Sequence, residues 1–291
     1  MSMHRGRLVK RRGSALLVMA ALLAPVAAAD AQQAADPRVA DLVGAGKLRV
    51  GLHLPQFVTD PTTGKIRGHG TGAVIEPIAR ALAARLGIEL QLVGHPSPPA
   101  LVECLKAGAC DVGFLGFTPH RTADVGFAPP HILVPFTFLV PAGSPIRSVG
   151  DVDRAGVRIA VVRNHASTLA LNRILKQAVT VGVDIPDEAF DLVRSGQTDA
   201  WASPRPPLLE YSAKLSGSRV LEDRYGENLQ AIAVAKDHAG RLAYVSEFVE
   251  EAKASGLVQD AIARAGERGI EVAPRESPAS RPSPGAARTE R

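Results

Sequence analysis

Asp111-Val-Gly-Phe-Leu-Gly-Phe-Thr-Pro-His-Arg121 opens as a short apolar strand, breaks at Gly116, and closes with Thr118 and Arg121 in the turn that follows. A cation just past the end of a buried strand suits an anionic group on a small molecule. The plainer alternative is a loop arginine paired with a neighbouring acid. Upstream, Leu48-Arg-Val-Gly-Leu-His53 reads as a first strand, and 55–72 as a loop with turn chemistry at Asp60-Pro-Thr-Thr-Gly64. Val74, Ile75, Ile78, Leu82 and Leu86 then recur at helical spacing until Gly87 stops them. With a strand over 88–93, a helix over 99–107 and the strand over 110–115, the order is β-α-β-α-β, the mark of a parallel sheet.

Downstream the order of elements repeats, although the residues do not. The spacing predicts a strand over 157–162 and a helix over 167–177 with Leu169, Leu171, Ile174 and Leu175 on its apolar side. A strand over 178–183, a helix over 187–194 stopped by Gly196, and a strand over 199–202 complete the second set. Val134-Pro-Phe-Thr-Phe-Leu-Val140 and Ala231-Ile-Ala-Val-Ala235 read as crossing strands between the sets, and Phe248, Leu257 and Ile262 belong to helices returning to the first. The expected fold is α/β with two lobes, each a mainly parallel sheet flanked by helices, joined by two crossing strands as a hinge. The expected divisions are 32–132 and 231–273 for lobe one and 133–230 for lobe two.

Composition narrows the function. The chain of 291 residues is 46% hydrophobic and 22% charged, ordinary for a globular protein. Its net charge of +5 is concentrated at the start, where Arg5, Arg7, Lys10, Arg11 and Arg12 face one acid, Asp30. The rest is nearly neutral, with no basic stripe interleaved with aromatics, so nucleic acid is a poor partner. A basic segment, an apolar run from Ala15 and small residues ending in A-x-A form read as a signal peptide over 1–31. A periplasmic protein is therefore expected. The Pro/Ser/Arg-rich segment 274–291 is expected to be disordered. Cys104 and Cys110 are either a disulfide or two buried thiols, and no histidine stands at ligand spacing in the sequence to make them a zinc site.

The chain resembles the periplasmic solute-binding proteins of ATP-driven importers, family 3, the amino-acid type. The likeness runs over 46–274. It rests on Gly-Lys-Leu-Arg-Val-Gly51, Ile78-Ala-Arg-Ala-Leu-Ala-Ala-Arg-Leu-Gly87, Leu105-Lys-Ala-Gly-Ala-Cys-Asp111, Thr118-Pro-His-Arg121, Val125-Gly-Phe-Ala-Pro-Pro130 and Leu192-Val-Arg-Ser-Gly-Gln-Thr-Asp-Ala200. It implies the periplasmic binding protein-like II fold and capture of a small carboxylate-bearing solute, an amino acid or related organic acid, by hinge closure. Delivery would be to an inner-membrane ABC permease by a monomer with no cofactor and no metal. By the same resemblance Arg121 grips the carboxylate, Thr118 and Gly116 shape the pocket floor, and Phe57 covers one face. Asn164, His165 and Ser167 approach from lobe two. Thr71 and Ser203 are further polar contacts. One departure bears on the ligand: Pro204 stands where the family carries the acid that holds the α-amino group, with Ser203 and Arg205 beside it. Arg205 is either a second cleft cation or a helix-start arginine facing solvent.

Two other classes compete. A periplasmic enzyme of the same fold, performing a cyclohexadienyl dehydratase-like elimination, needs an acid–base group beside the ligand; His165 is best placed, then Glu76 and His120. A sensor acting through a membrane partner would use the same module. Gly68-His-Gly-Thr-Gly-Ala73 superficially matches a dinucleotide fingerprint but lacks a convincing buried strand before it. Aromatic residues at 4% exclude a sugar-stacking platform.

Overall fold

The computed structural model describes residues 36–63 and 66–275. The signal peptide, and the tail beyond Arg275, lie outside the described residues. Among the described residues no helix is long and apolar enough to cross a membrane.

Strand β1 (Lys47–His53) pairs in parallel with β4 (Glu89–His95) and β5 (Val112–Gly116), and helices α2 (Thr71–Leu86) and α3 (Pro98–Lys106) connect them. In the second lobe β8 (Arg158–Val162) pairs in parallel with β9 (Val179–Val183) and β10 (Ala200–Pro204), with α4 (Ala166–Leu171) and α5 (Pro186–Arg194) between them. Both are the expected β-α-β-α-β sets. Each sheet is buried on two faces, so each lobe carries two apolar layers. Val50, Ile75, Phe114 and Ile232 belong to one layer of lobe one, and Leu101, Leu105 and Leu115 to the other.

The lobes meet through two long strands, β7 (Ile132–Val140) and β12 (Gly226–Ala235). The first half of β12 runs antiparallel to β7, from Gly226 opposite Phe136 to Gln230 opposite Ile132, and its second half pairs with β5. The second half of β7 pairs with β10. Each strand thus belongs to both sheets, and one hydrogen-bonded path runs β4-β1-β5-β12-β7-β10-β8-β9. Helices α7 (Ala239–Ala254) and α8 (Leu257–Ala265) return to lobe one, where Phe248, Val258 and Ile262 join its main core.

The amino-terminal ends of the two sheets are built alike. The Asp111 carboxylate accepts hydrogen bonds from the Arg49 backbone N at 2.8 Å and from its Nη2 at 2.6 Å, while the Asp111 N–H donates to the Arg49 carbonyl at 2.8 Å. In lobe two Asp199 accepts from the Arg158 backbone N at 2.8 Å and its N–H donates to the Arg158 carbonyl at 2.8 Å. Cys104, in the last turn of α3, and Cys110, just before β5, are joined in a disulfide with Cα atoms 5.3 Å apart, which answers the question that the sequence left open.

Several elements differ from expectation. Crossing strand β12 begins at Gly226 rather than Ala231, because its first half finds a partner only in β7. The helix expected over 167–177 stops at Leu171. Beyond it the Asp153 carboxylate accepts the backbone N–H groups of Lys176, Gln177 and Ala178 at 2.7–3.0 Å, which holds the chain in a turn. Leu169 and Ile174 consequently stand 51% and 47% exposed rather than forming an apolar face. The loop after β1 contains a small hairpin, β2 (Phe57–Thr59) against β3 (Ile66–Gly68), entered through Asp60, which accepts from the Thr62 and Thr63 N–H groups at 2.9 Å. His131, at the edge of the hinge, is fully buried with its ring edge-on to Phe114, and neither ring nitrogen has a partner among the described residues. Burial, reinforced by the nearby Lys253 ammonium, pushes its pKa down to about 3.

Candidate functional site

At the carboxyl end of β5 the strand stops at Gly116 and the Phe117 N–H donates to the Leu229 carbonyl at 2.8 Å. Pro119 then opens a single 3-10 turn, Pro119–Ala123, because its fixed φ suits the first helical position. The turn folds Arg121 back so that its Nη1 donates to the Gly116 carbonyl at 2.6 Å. The side chain is half-buried, and burial lowers the guanidinium pKa from a very high starting value, which leaves it a cation. Among the described residues no carboxylate forms an ion pair with it, so the reading of a loop arginine paired with a neighbouring acid does not describe Arg121.

Polar groups without hydrogen-bond partners among the described residues lie at this strand end. The Thr118 hydroxyl is buried and makes no hydrogen bond. The side-chain amides of Asn228 and Gln230, two positions apart on β12 and therefore on one face of it, make none with the described residues either, although Gln230 is only 5% exposed. They converge on Gly116: a Cβ built there would lie 3.3 Å from Asn228 Oδ1, 3.6 Å from Gln230 Nε2 and 3.6 Å from Arg121 Nη1. Buried polar groups are ordinarily paired, so the orphaned Thr118 hydroxyl, at the start of the turn that carries Arg121, marks a place where something polar can bind. His53, at the carboxyl end of β1, is held below its ordinary pKa first by burial and then by the charge of Arg121, which favours its neutral form.

The other sequence-derived residues are placed as follows. Thr71 opens α2, and its hydroxyl accepts from Gln56 Nε2 at 2.7 Å. Backbone packs on backbone here, since a Cβ at Gly72 would fall 2.0 Å from the Gln56 carbonyl oxygen. The preceding β3 is half of an isolated hairpin rather than a strand of the main sheet, so the dinucleotide fingerprint has no structural basis. Phe57 lies in the main core at 7% exposure, packed inward with the neighbours of α2, so its ring does not stand over an opening as expected. Ser203 is buried on β10 opposite Thr137 of β7.

In lobe two, Asn164 adopts a left-handed backbone, φ 59°, directly before α4. His165 is the N-cap residue of α4; desolvation lowers its pKa, and its Nδ1 lies 2.9 Å from the Ser167 Oγ. Ser167 is buried, and its carbonyl accepts from the Tyr225 hydroxyl at 3.3 Å. The remaining arginines at this edge are occupied. Arg163 pairs with Asp184 and donates to the Gly182 carbonyl. Arg205 starts α6 (Arg205–Ser212), but its guanidinium turns to Glu222 and its stem packs against Gly269, so it is neither a second cleft cation nor a solvent-facing side chain.

Asn228, Gln230 and His53 were not among the residues singled out in sequence. The available signal was Asn228-Leu-Gln230, two polar residues alternating with an apolar one directly before the run Ala231–Ala235. One further cluster escaped: His95 Nε2 lies 3.4 Å from Cys110 Sγ, and His95, Cys104 and Cys110 could together ligate a metal, but both sulfurs are committed to the disulfide. Glu76 is paired with Arg80 at 2.7 Å. A surface groove of about 670 Å3 lined by Arg147, Leu209, Arg219 and Glu222 contains none of the residues around Arg121.

Two α/β lobes sharing two crossing strands, with unpaired polar groups at a strand's carboxyl end beside the crossing, define a two-lobed binding protein of the periplasmic type II architecture. The chain belongs to the bacterial extracellular solute-binding proteins, family 3, whose model matches residues 53–265. The structure of an ancestral cationic amino-acid solute-binding protein, AncCDT-1, aligns with a TM-score of 0.60 at 24% identity over 78% of this chain and 98% of that one; a second structure of it is described as a precursor of cyclohexadienyl dehydratase. Among curated proteins, the glutamine-binding protein of Geobacillus stearothermophilus is 25% identical over 199 residues, 66% of this chain and 74% of that protein. The virulence sensor protein BvgS of Bordetella bronchiseptica is 31% identical over 134 residues, 44% of this chain but only 10% of BvgS.

Proposed function

We propose that the protein captures a small carboxylate-bearing solute, an amino acid or a related organic acid, between its lobes and delivers it outside the cytoplasm to an inner-membrane ABC permease. Membership of an amino-acid-type solute-binding family supports the class. The single observation that supports the site is Arg121, a half-buried cation with no acid partner among the described residues, whose Nη1 converges on Gly116 with Asn228 Oδ1 and Gln230 Nε2. A carboxylate there would receive a charge-assisted hydrogen bond from the guanidinium and a neutral one from Gln230 Nε2. Lobes 32–132 with 231–273, and 133–230, would swing about β7 and β12 and bring Asn164, His165, Ser167 and Ser203 toward the solute, with Thr71 at the rim of lobe one. The protein would work as a monomer.

The test is Arg121→Ala. Affinity for the best carboxylate from a thermal-shift screen should fall more than tenfold while the circular dichroism spectrum stays that of the parent. Unchanged affinity would remove this site. An enzyme is the second reading, favoured by the His165–Ser167 contact and by the description of AncCDT-1 as a dehydratase precursor. Recovery of the solute intact after prolonged incubation separates the two, since a consumed solute would assign chemistry to His165.

A further inference from the structure

We infer that reduction of the Cys104–Cys110 disulfide by a dithiol unmasks a metal site, in which the two cysteine thiolates and the His95 imidazole hold a zinc-class cation. The inference is independent of the solute site proposed above.

Placement carries it. Cys104 Sγ, Cys110 Sγ and a ring nitrogen of His95 all lie within 4.8 Å of one another, and His95 Nε2 is 3.4 Å from Cys110 Sγ. Tetrahedral zinc takes sulfur at about 2.3 Å and nitrogen at about 2.0 Å, which puts two such donors about 3.5 Å apart, so one edge of the site is already formed. Backbone contacts hold each donor independently of the sulfur–sulfur bond. The Ala109 and Cys110 N–H groups both donate to the Cys104 carbonyl, at 3.0 and 3.1 Å, around a turn at Gly108 with φ 65°. Asp111, next to Cys110, is clamped to Arg49 of β1, and His95 ends the parallel register of β4 against the same strand. A Cβ at Gly51 of β1 would lie 3.2 Å from Cys110 Sγ, so the glycine leaves room beside the sulfur. A reduced chain therefore keeps its two thiols and the imidazole together, and donors ordered before an ion arrives lose little entropy on binding it.

The donor set names the ion. Two thiolates and an imidazole suit zinc, whereas magnesium and calcium take oxygen. Three protein ligands leave the fourth tetrahedral position to water. Cys104 is 8% exposed against 1% for Cys110, so a thiolate of the dithiol attacks Cys104 Sγ, and Cys110 leaves as a thiolate beside His95 Nε2. The second thiol of the reductant then displaces Cys104 from the mixed disulfide. The protein disulfide gains two electrons and two protons, and the reductant departs as its own disulfide. Zinc displaces the two thiol protons to solvent as it binds.

The test treats the full chain with dithiothreitol, removes the reductant without air, and counts the free thiols of its two cysteines. The reduced chain should bind one equivalent of Zn2+, and zinc should raise its melting temperature. Co2+ in its place should give the thiolate charge-transfer and intense d–d absorption of a tetrahedral site. The oxidised chain, and the pair Cys104→Ser with Cys110→Ser, should bind zinc at least about a hundredfold more weakly. His95→Ala in the reduced chain should weaken it at least about tenfold. On the unaltered reduced chain, zinc should also shift the His95 ring resonances. A disulfide that resists the dithiol in the folded chain would overturn the inference. So would equal zinc binding by the reduced, oxidised and serine forms, which would put the metal on other residues. Unchanged affinity in His95→Ala, or unmoved His95 resonances, would remove the third ligand and with it the site.

Discussion

The two lobes are alike where their sheets begin and unlike where they end. At the amino-terminal edges Arg49 with Asp111, and Arg158 with Asp199, make the same exchange of backbone and side-chain hydrogen bonds. At the carboxyl edges each lobe again offers arginine, but Arg163 and Arg205 of lobe two are bound to Asp184 and Glu222, while Arg121 of lobe one has no carboxylate partner among the described residues. Residue type is therefore a poor guide to function at these edges. Partnership is what separates an arginine that holds the fold from one that is available to a ligand.

The likeness of the amino-terminal edges breaks down in energy, because the two clamps differ in burial. The Asp111 side chain is 4% exposed and Asp199 40%. Asp111→Ala leaves Arg49 without its acid and the buried Arg241 with Asp41 alone, and should cost about 3–5 kcal/mol in urea unfolding. Asp199→Ala should cost at most about 1 kcal/mol. Equal losses would mean that the clamps are equivalent.

Only lobe one carries a disulfide among the described residues. Replacing Cys104 and Cys110 by serine frees a short loop and should lower stability by about 2 kcal/mol, with the change read in lobe-one amides by hydrogen exchange. A loss spread evenly over both lobes would show that the crossing strands couple them into one unfolding unit.

The hinge strand supplies a pH test. His131 has a folded-state pKa of about 3 against an ordinary value of 6.5, so the unfolded chain takes up a proton that the folded one refuses between these values. Its contribution is intact above pH 6.5 and is lost as pH falls toward 3, at about 1.4 kcal/mol per pH unit. His131→Phe, which keeps the edge contact to Phe114, should flatten that slope in acid unfolding. An unchanged slope would place the acid sensitivity elsewhere.

The smallest effect is the sharpest control on the carboxyl edges. Arg163→Ala should leave solute affinity within about twofold, against the loss of more than tenfold expected for Arg121→Ala. Equal losses would show that the Asp184 partnership opens on binding and that both lobes contribute a cation.

Much of the fold was legible because periodicity and turn residues are local signals. The β-α-β-α-β order in both lobes, the crossing strand near 134–140 and the position of Arg121 after β5 were all readable from spacing. Helix α4 is shorter than its apolar spacing predicts because the acid that holds the following turn, Asp153, lies well before it in sequence. The loop position of Phe57 points to a cover for the solute by the family's pattern, while the tertiary structure puts its side chain in the main core of lobe one. Asn228 and Gln230 carry little signal in the sequence because they lie in the half of β12 that pairs with the distant β7.

The sequence alone determined an α/β chain with a strand-end arginine, since apolar spacing and the Gly116–Thr118–Pro119 break act over a few residues. Tertiary structure decided that Arg121 has no carboxylate partner among the described residues, that Cys104 and Cys110 are joined, and that two amides of β12 lie near Gly116. Those outcomes depend on what long-range packing brings within about 4 Å, the range over which charges pair and hydrogen bonds form.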